Sequence, residues 1–433
     1  MKILITYPFG LGGVCQTELR QLGFSPVKKG YALMVNNMQR KDVYRINLWS
    51  RVANKVFVVL AEQKVMDFDA LFDLISSLDW KQYIGSGHGV RVLAHSRESQ
   101  LASTRTIQSI VHKSILTQLT GSREKHWEVD ERKSTIEISV DIYKDMATIM
   151  INTSGASLHE RGYRTEQGDA PLKENIAAGL LLLAGWDKKS PLYDPFCGSG
   201  TICIEAAMMA AGIAPGLLRT FAFEEFGSFD GLLYGMLCDE ATSRKLKSAG
   251  NVTSRNKGQG MTRSIGDTKH DDTYTSHIRS KGQVMLFGSD IDASVLEKAQ
   301  ANAIRAGVGD MVDFQEKHFL DREFRIQISD YRLQTTDSGL QEGDTIDPGP
   351  AYRRQVATSA RLPRNDSKVW CVTNPPYGVR LGQESEELVE DLLVTYSKYS
   401  LLGGFLLLRG LQAPGFSCID LLNGQQEVCF YRR

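Results

Sequence analysis

The chain predicts an α/β protein: a doubly wound, Rossmann-like domain preceded by a smaller α+β half. Three stretches carry that prediction. Leu192-Tyr193-Asp194-Pro195-Phe196-Cys197-Gly198-Ser199-Gly200-Thr201, running into Ile202-Cys203-Ile204-Glu205-Ala206-Ala207, reads as a short strand, a glycine turn and the opening of a buried helix. Val284-Met285-Leu286-Phe287-Gly288-Ser289-Asp290-Ile291-Asp292 reads as an apolar strand ending in acid. Val369-Trp370-Cys371-Val372-Thr373 is a third buried strand, with Asn374-Pro375-Pro376-Tyr377-Gly378 at its end. In such sheets ligands sit outside the carboxyl ends of the strands, where all three stretches place their polar residues.

At 433 residues two or three domains are expected, and a hydrophobic content of 42% is ample for their cores. No apolar run is long enough to span a bilayer, and Met1 to Tyr7 reads as a first strand rather than a secretory leader. The seven cysteines include no C-x-x-C pair, and Cys197, Cys203 and Cys371 fall in apolar settings. That usage suits a reducing, cytoplasmic location and no structural metal. The formal net charge is zero, yet residues 1–165 hold 22 Lys/Arg against 16 Asp/Glu. A nucleic-acid-facing N-terminal half is therefore permitted without being required.

In chain order, Val14, Leu19 and Leu22 are helix-spaced before Gly23, and Tyr31 to Val35 is a strand, giving a small first layer over residues 1–55. Residues 67–79 form an amphipathic helix, and Gly89 to Ala94 a strand. From Ser99 to Leu119 one helical face carries Ile107, Ile110, Val111, Ile115 and Leu119, with Arg97, Arg105, His112 and Lys113 on its flanks and exposed side. Ile136, Ile138, Val140 and Ile142 alternate, Lys144-Asp145 turns, and Ala147 to Ile151 returns. The basic residues suit either a solvated face or phosphate contact. Leu158 to Arg164 follows, where Arg161, Tyr163 and Arg164 could position a nucleic acid or the cofactor's carboxylate, or pin a linker by ion pairs. An apolar helix then leads to Trp186. Residues 241–282 and 322–367 are polar and read as insertions, the first exposed and disordered.

The chemistry lies at the strand ends. Gly198 and Gly200 let the backbone turn sharply and a ligand approach it closely, against a helix N-terminus with unpaired N–H groups. The spacing is not the dinucleotide fingerprint, and no Lys-Ser/Thr pair follows to make a phosphate loop of the Walker kind. Asp290 is placed to accept both hydroxyls of a ribose, while Asp292 suits a helix N-cap. Two prolines fix the backbone after Asn374 and leave their carbonyls free as acceptors, Asn374 adds a side-chain carbonyl, and Tyr377 a flat face. Together they suit an exocyclic amine whose lone pair is aimed at a sulfonium methyl, a reaction carried by positioning.

With these motifs the chain resembles the THUMP-containing class I RNA guanine-N2 methyltransferases, most closely the bacterial 23S ribosomal RNA enzyme of that family. Further likenesses are Leu158 to Arg164, Ala170-Pro171-Leu172 with Glu174, Ile213-Ala214-Pro215-Gly216-Leu217 with Phe221-Ala222-Phe223-Glu224, and Leu422-Asn423-Gly424. The resemblance implies a ferredoxin-like layer (1–55), a THUMP RNA-binding domain (56–155) and a Rossmann-like class I methyltransferase domain (156–433) carrying the two insertions. It implies S-adenosylmethionine over Asp194, Phe196, Cys197, Gly198, Ser199, Gly200 and Thr201, with Asp290 and Ile291 at the ribose. Asn374, Pro375, Pro376 and Tyr377 would hold a flipped guanine, and Asn374 would also line the donor site. Arg97, Arg105, Lys113, Arg161, Tyr163 and Arg164 would face the RNA, structured ribosomal RNA ahead of transfer RNA. One departure stands out: where the family carries an acid for the adenine amine, this chain has His318, with Asp321 the substitute candidate.

Overall fold

The computed structural model describes residues 1–122, 126–164, 172–249, 285–319, 369–375, 384–398, 401–408, 413, 415–423 and 426–433. The N-terminal half runs β1 (Lys2–Thr6), α1 (Gly12–Gln21), β2 (Val27–Lys29), β3 (Ala32–Val35), α2 (Arg40–Trp49), β4 (Lys55–Lys64), α3 (Phe68–Ser76), β5 (Gly89–Arg97), α4 (Thr104–Thr120), β6 (Thr135–Tyr143) and β7 (Met146–Asn152). Its strands form one seven-stranded sheet, ordered β2-β3-β1-β4-β7-β6-β5. Strand β1 is antiparallel to both β3 and β4, so the first layer and the region after it share an unbroken ladder.

Alternation sorts this sheet's two faces. Ile3, Ile5, Ile136, Ile138, Val140 and Ile142 are fully buried and pack with Ile107, Val111 and Ile115 of α4. The β6–β7 turn falls at Lys144-Asp145, both with positive φ (50° and 59°), as a tight two-residue hairpin requires. The single helix expected in residues 1–55 is joined by a second, α2. Its N-terminus closes with Asp42 accepting from the Gln39 N–H at 2.8 Å, and it buries Val43, Tyr44, Ile46 and Leu48. Asn47 interrupts the apolar face in the sequence. It is buried because it bonds Thr153 and Ser154.

Among the described residues the second half runs α5 (Glu174–Ala184), β8 (Leu192–Asp194), α6 (Thr201–Ala210), α7 (Gly231–Ala249), β9 (Leu286–Asp290), α8 (Ala293–Arg305), β10 (Val312–Glu316), β11 (Trp370–Thr373), α9 (Glu384–Lys398), β12 (Leu402–Leu408), β13 (Ser417–Asn423) and β14 (Gln426–Arg432). Its sheet is ordered β10-β9-β8-β11-β12-β14-β13. The first five are parallel, and β14 and β13 close the edge antiparallel. Strand β8 lies between β9 and β11, so the chain order reverses there, at the crevice where such sheets take ligands.

The halves are packed together. A Cβ on Gly179 of α5 would lie 2.5 Å from a Leu11 methyl, so the glycine admits the N-terminal layer onto α5. Arg51 donates across the same boundary to the Ile213 carbonyl at 2.6 Å. Helix α7 runs to Ala249, so residues 241–249, read as the start of an insertion, are helical. The rest of that insertion, and the whole of the second, lie outside the described residues. No helix among the described residues is long and apolar enough to cross a membrane. Cys418 and Cys429 are joined by a disulfide on the β13–β14 hairpin, apart from the reducing-compartment reading. With Asp420 they are the group of potential metal ligands among the described residues, and there the two sulfurs bind each other.

Candidate functional site

Four parallel strands end side by side, β8 at Asp194, β9 at Asp290, β10 at Glu316 and β11 at Thr373. Asp194 is buried, and its Oδ1 accepts from the Thr373 hydroxyl at 2.6 Å and the Phe196 N–H at 3.3 Å. Burial raises the Asp194 carboxyl to about 7, nearby Asp290 adds to the rise, and these two hydrogen bonds oppose it. Thr373 was not singled out in the sequence. The signal is a polar residue closing an otherwise apolar strand, directly before Asn374.

The turn after β8 is built as the glycines predict. Gly198 has φ 49° and Gly200 φ 80°, both left-handed. A Cβ on Gly198 would meet nothing within 4 Å, leaving its face open for a ligand. A Cβ on Gly200 would strike Phe314 at 2.8 Å and Ala299 at 3.0 Å, so only glycine lets α6 begin there. The Cys197 N–H donates to the Ser289 carbonyl at 2.9 Å, tying the turn to β9. The Asp290 carboxylate accepts from the Gly198 N–H at 3.0 Å and from the Asp292 N–H at 3.1 Å. Both its oxygens are thereby aimed while each retains acceptor capacity for a hydroxyl. Asp292 caps α8 by accepting from the Ser294 N–H at 2.9 Å. Ile291 stands exposed beside them.

Phe196 packs its ring against Phe319 at 5.3 Å, giving the cleft an apolar wall beyond the end of β10. His318 is exposed in the same connection, and Asp321 lies outside the described residues. At the end of β11, the Oδ1 of Asn374 is buried with no hydrogen-bond partner among the described residues. A buried acceptor left unpaired costs about 1–3 kcal/mol, and one at the carboxyl end of a parallel strand suits an N–H donor from outside the protein. Pro375 is buried next to it, whereas Pro376 and Tyr377 lie outside the described residues.

The six residues expected to face RNA divide sharply. Arg97, Arg105 and Lys113 are exposed. Arg97 stacks on Tyr143 at 5.6 Å on the face of the first sheet opposite α4, while Arg105 and Lys113 lie on α4 itself, so they make no single patch. Lys113 rims a cleft of about 540 Å³ shared with His112, His126, Trp127 and Thr117. The Trp127 indole is fixed by its Nε1–H donating to the His88 carbonyl at 2.8 Å.

Arg161, Tyr163 and Arg164 correct the sequence reading: they point inward. Arg161 is 2% and Tyr163 1% exposed, so neither can meet a nucleic acid. Arg161 donates to Glu205 at 3.3 Å, to the Leu158 carbonyl at 2.6 Å and to the Arg51 carbonyl. The Tyr163 hydroxyl reaches Glu205 at 3.5 Å, and Arg164 donates to the Thr201 hydroxyl at 2.6 Å and pairs with Glu174 at 3.5 Å. The acids that draw them in, Glu174 and Glu205, stand at helix positions 10 or more residues away in sequence, which composition does not pair.

Family models match three consecutive parts of the chain: an RlmL ferredoxin-like domain over residues 2–57, a THUMP domain over 65–152 and an RMKL-like methyltransferase domain over 161–331. The chain is 30% identical over 409 residues to a Bacillus subtilis (strain 168) protein named "Putative RNA methyltransferase YpsC", covering 92% of this chain and 87% of that one. It is also 30% identical over 389 residues to the ribosomal RNA large subunit methyltransferase K/L of Marinomonas sp. (strain MWYL1), covering 88% of this chain but 44% of that relative's length. Among solved structures, SMU.472, titled a putative methyltransferase complexed with SAH, superposes with a TM-score of 0.71 at 26% identity, covering 100% of this chain and 97% of that one.

Proposed function

Because the chain belongs to the THUMP-containing RNA methyltransferases with an RMKL-like catalytic domain, we propose that it methylates the exocyclic N2 amine of a guanine in RNA, most readily 23S ribosomal RNA in the cytoplasm. The observation that carries this reading is the buried, unpaired Oδ1 of Asn374 at the end of β11. S-adenosylmethionine, when bound, supplies a sulfonium methyl that an amine lone pair can take in line.

The residues suit that group. Asp290 would hold the ribose hydroxyls, the open face of Gly198 admits close approach of the donor, and Phe196 offers an apolar wall. The carbonyl of Asn374 would accept one amine N–H and that of Pro375 the other, which turns the nitrogen lone pair toward the donor side. Asp194 sets that geometry through Thr373, the residue before Asn374. Little proton transfer is needed before attack, so orientation supplies most of the rate. The base would be extruded from its helix to reach an acceptor this buried. The exposed cations of α4, with the cleft beside Lys113, would take up phosphates and an unpaired nucleotide.

Asn374→Ala should lower methyl transfer by about 100-fold while S-adenosylhomocysteine still binds. Full transfer by that variant would remove the catalytic assignment. Mass-spectrometric mapping of methylguanines in ribosomal and transfer RNA, from cells with and without the protein, identifies the substrate.

A further inference from the structure

We infer that the segment Leu158–Arg164 is the strut of the donor cradle, and that Arg164 and the Arg305–Asn302 pair are positioning residues for S-adenosylmethionine. The inference rests on the donor reading but not on which base accepts the methyl.

Two polar connections leave this segment and end on consecutive parts of the cradle. Arg164 donates to the hydroxyl of Thr201, the first residue of α6, at 2.6 Å, and to the Leu172 carbonyl at 3.3 Å. The backbone carbonyl of Tyr163 accepts from Arg305 at 2.7 Å, Arg305 donates to Asn302 Oδ1 at 2.6 Å, and Asn302 Nδ2 donates to the Ser199 carbonyl at 3.3 Å. Ser199 and Thr201 flank Gly200, which as the N-cap of α6 has no side chain to cap it. Both flanks of the cradle's turning point are therefore held from outside the sheet. One turn further along α6, Arg161 and Tyr163 converge on Glu205.

The strut is itself anchored. Gly162 has φ 97°, and a Cβ there would lie 2.1 Å from the Leu218 carbonyl, so the backbone is pressed against Leu218 at the point where the side chains fan out. Arg219 donates to the carbonyls of Ser154, Ala156, Ser157 and Glu160 between 2.5 and 3.1 Å. Arg161 also donates to the Arg51 carbonyl, and Arg51 to the Ile213 carbonyl, which joins the N-terminal layer to the same frame. Glycine turns are conformationally loose, and a ligand site is only as precise as the shell that locks it. Here that shell is one continuous hydrogen-bonded segment.

The test is calorimetric titration of the full chain with S-adenosylhomocysteine, which the wild type must bind. Arg164→Met should weaken binding by about ten-fold or more. Asn302→Asp is isosteric, keeps the Arg305 contact, replaces the donor to the Ser199 carbonyl with a carboxylate oxygen that repels it, and should weaken binding by a smaller factor. Thr201→Val added to Arg164→Met should cost no more than Arg164→Met alone, because the Arg164–Thr201 bond is already gone in the single variant. Steady-state kinetics should show the KM for the methyl donor rising while the KM for RNA holds. Wild-type affinity in both Arg164→Met and Asn302→Asp overturns the proposal, as does full additivity of the double variant. Asn302→Asp decides the matter if Arg164→Met fails to fold.

Discussion

The arginines of the α4 region and those of the 158–164 segment were indistinguishable as sequence, and their fates are opposite. Arg97 and Arg105 lie in water, one on an aromatic face and one on a helix flank. Arg161 and Arg164 are enclosed, with Glu205 and Glu174 as counter-charges; backbone carbonyls take two further nitrogens of Arg161 and one of Arg164, and the Arg164 Nε–H is buried without a partner among the described residues. An exposed cation keeps its hydration and is available for a polyanion, whereas a buried one must find every partner inside the protein. The lesson is that an arginine near a ligand domain declares its role only through what faces it. In this chain the inward set shapes the cofactor turn, and the outward set is the one left for RNA.

Removing a counter-charge should separate the two sets most strongly. Glu205→Leu leaves Arg161 buried without its carboxylate and should destabilise the fold by about 3–5 kcal/mol, read by urea denaturation. Arg105→Ala should change stability by no more than about 0.5 kcal/mol. A Glu205→Leu protein as stable as the wild type would mean that the carbonyls alone suffice for Arg161.

The outward set is tested by salt. Lys113→Ala, beside the α4 cleft, and Arg97→Ala, on the opposite face of the sheet, should differ in RNA binding. The one that meets phosphate should lower the slope of log affinity against log salt by about 0.7–0.9, and the other should leave it unchanged. Equal loss in both would point to an RNA that wraps the sheet edge.

A subtler comparison is electrostatic. Burial, with Lys173, Arg161, Arg164 and Arg219 nearby, lowers His159 to about 4 from 6.5, while burial raises Asp194 to about 7 from 3.8. Between those limits the unfolded chain protonates His159 and the folded chain does not, so this term makes stability rise with pH. Over the same range the folded chain holds the Asp194 proton that the unfolded chain has lost, so that term makes stability fall as pH rises. The two slopes oppose each other. Denaturation at pH 5 and pH 6.5 should show stability rising with pH in Asp194→Asn and falling in His159→Gln, relative to the wild type. Parallel profiles in both variants would dismiss the opposition.

Much of this was legible in the sequence. The β6–β7 hairpin showed in strict alternation and a two-residue turn, and the cradle in Gly198, Gly200 and the acid before them. Both signals are local: a pleat of period two, and φ values that only glycine takes freely. Helix α2 was hidden because Asn47 breaks its apolar face, and its burial depends on Thr153 and Ser154, more than 100 residues away. Asn302 and Arg305 were invisible for the same reason, and Thr373 showed only as a polar residue closing an apolar strand. Their meaning lies in contacts with Asp194, Ser199 and Tyr163, and no spacing rule links such positions. The inward turn of Arg161 could not be read either, since the sequence shows charges but not which acids they will face.

The unbroken ladder through β1 has a mechanical consequence. A strand hydrogen-bonded along both edges cannot act as a hinge, so the ferredoxin-like layer and the region after it form a single plate. That plate is fastened to the second sheet through Leu11 on α5 and Arg51 on the end of α6. If RNA docks on the plate, the distance from the docked helix to Asn374 is fixed as in a caliper. Such an enzyme would choose its base by how far that base lies from a folded landmark in the RNA, with the surrounding sequence left free to vary.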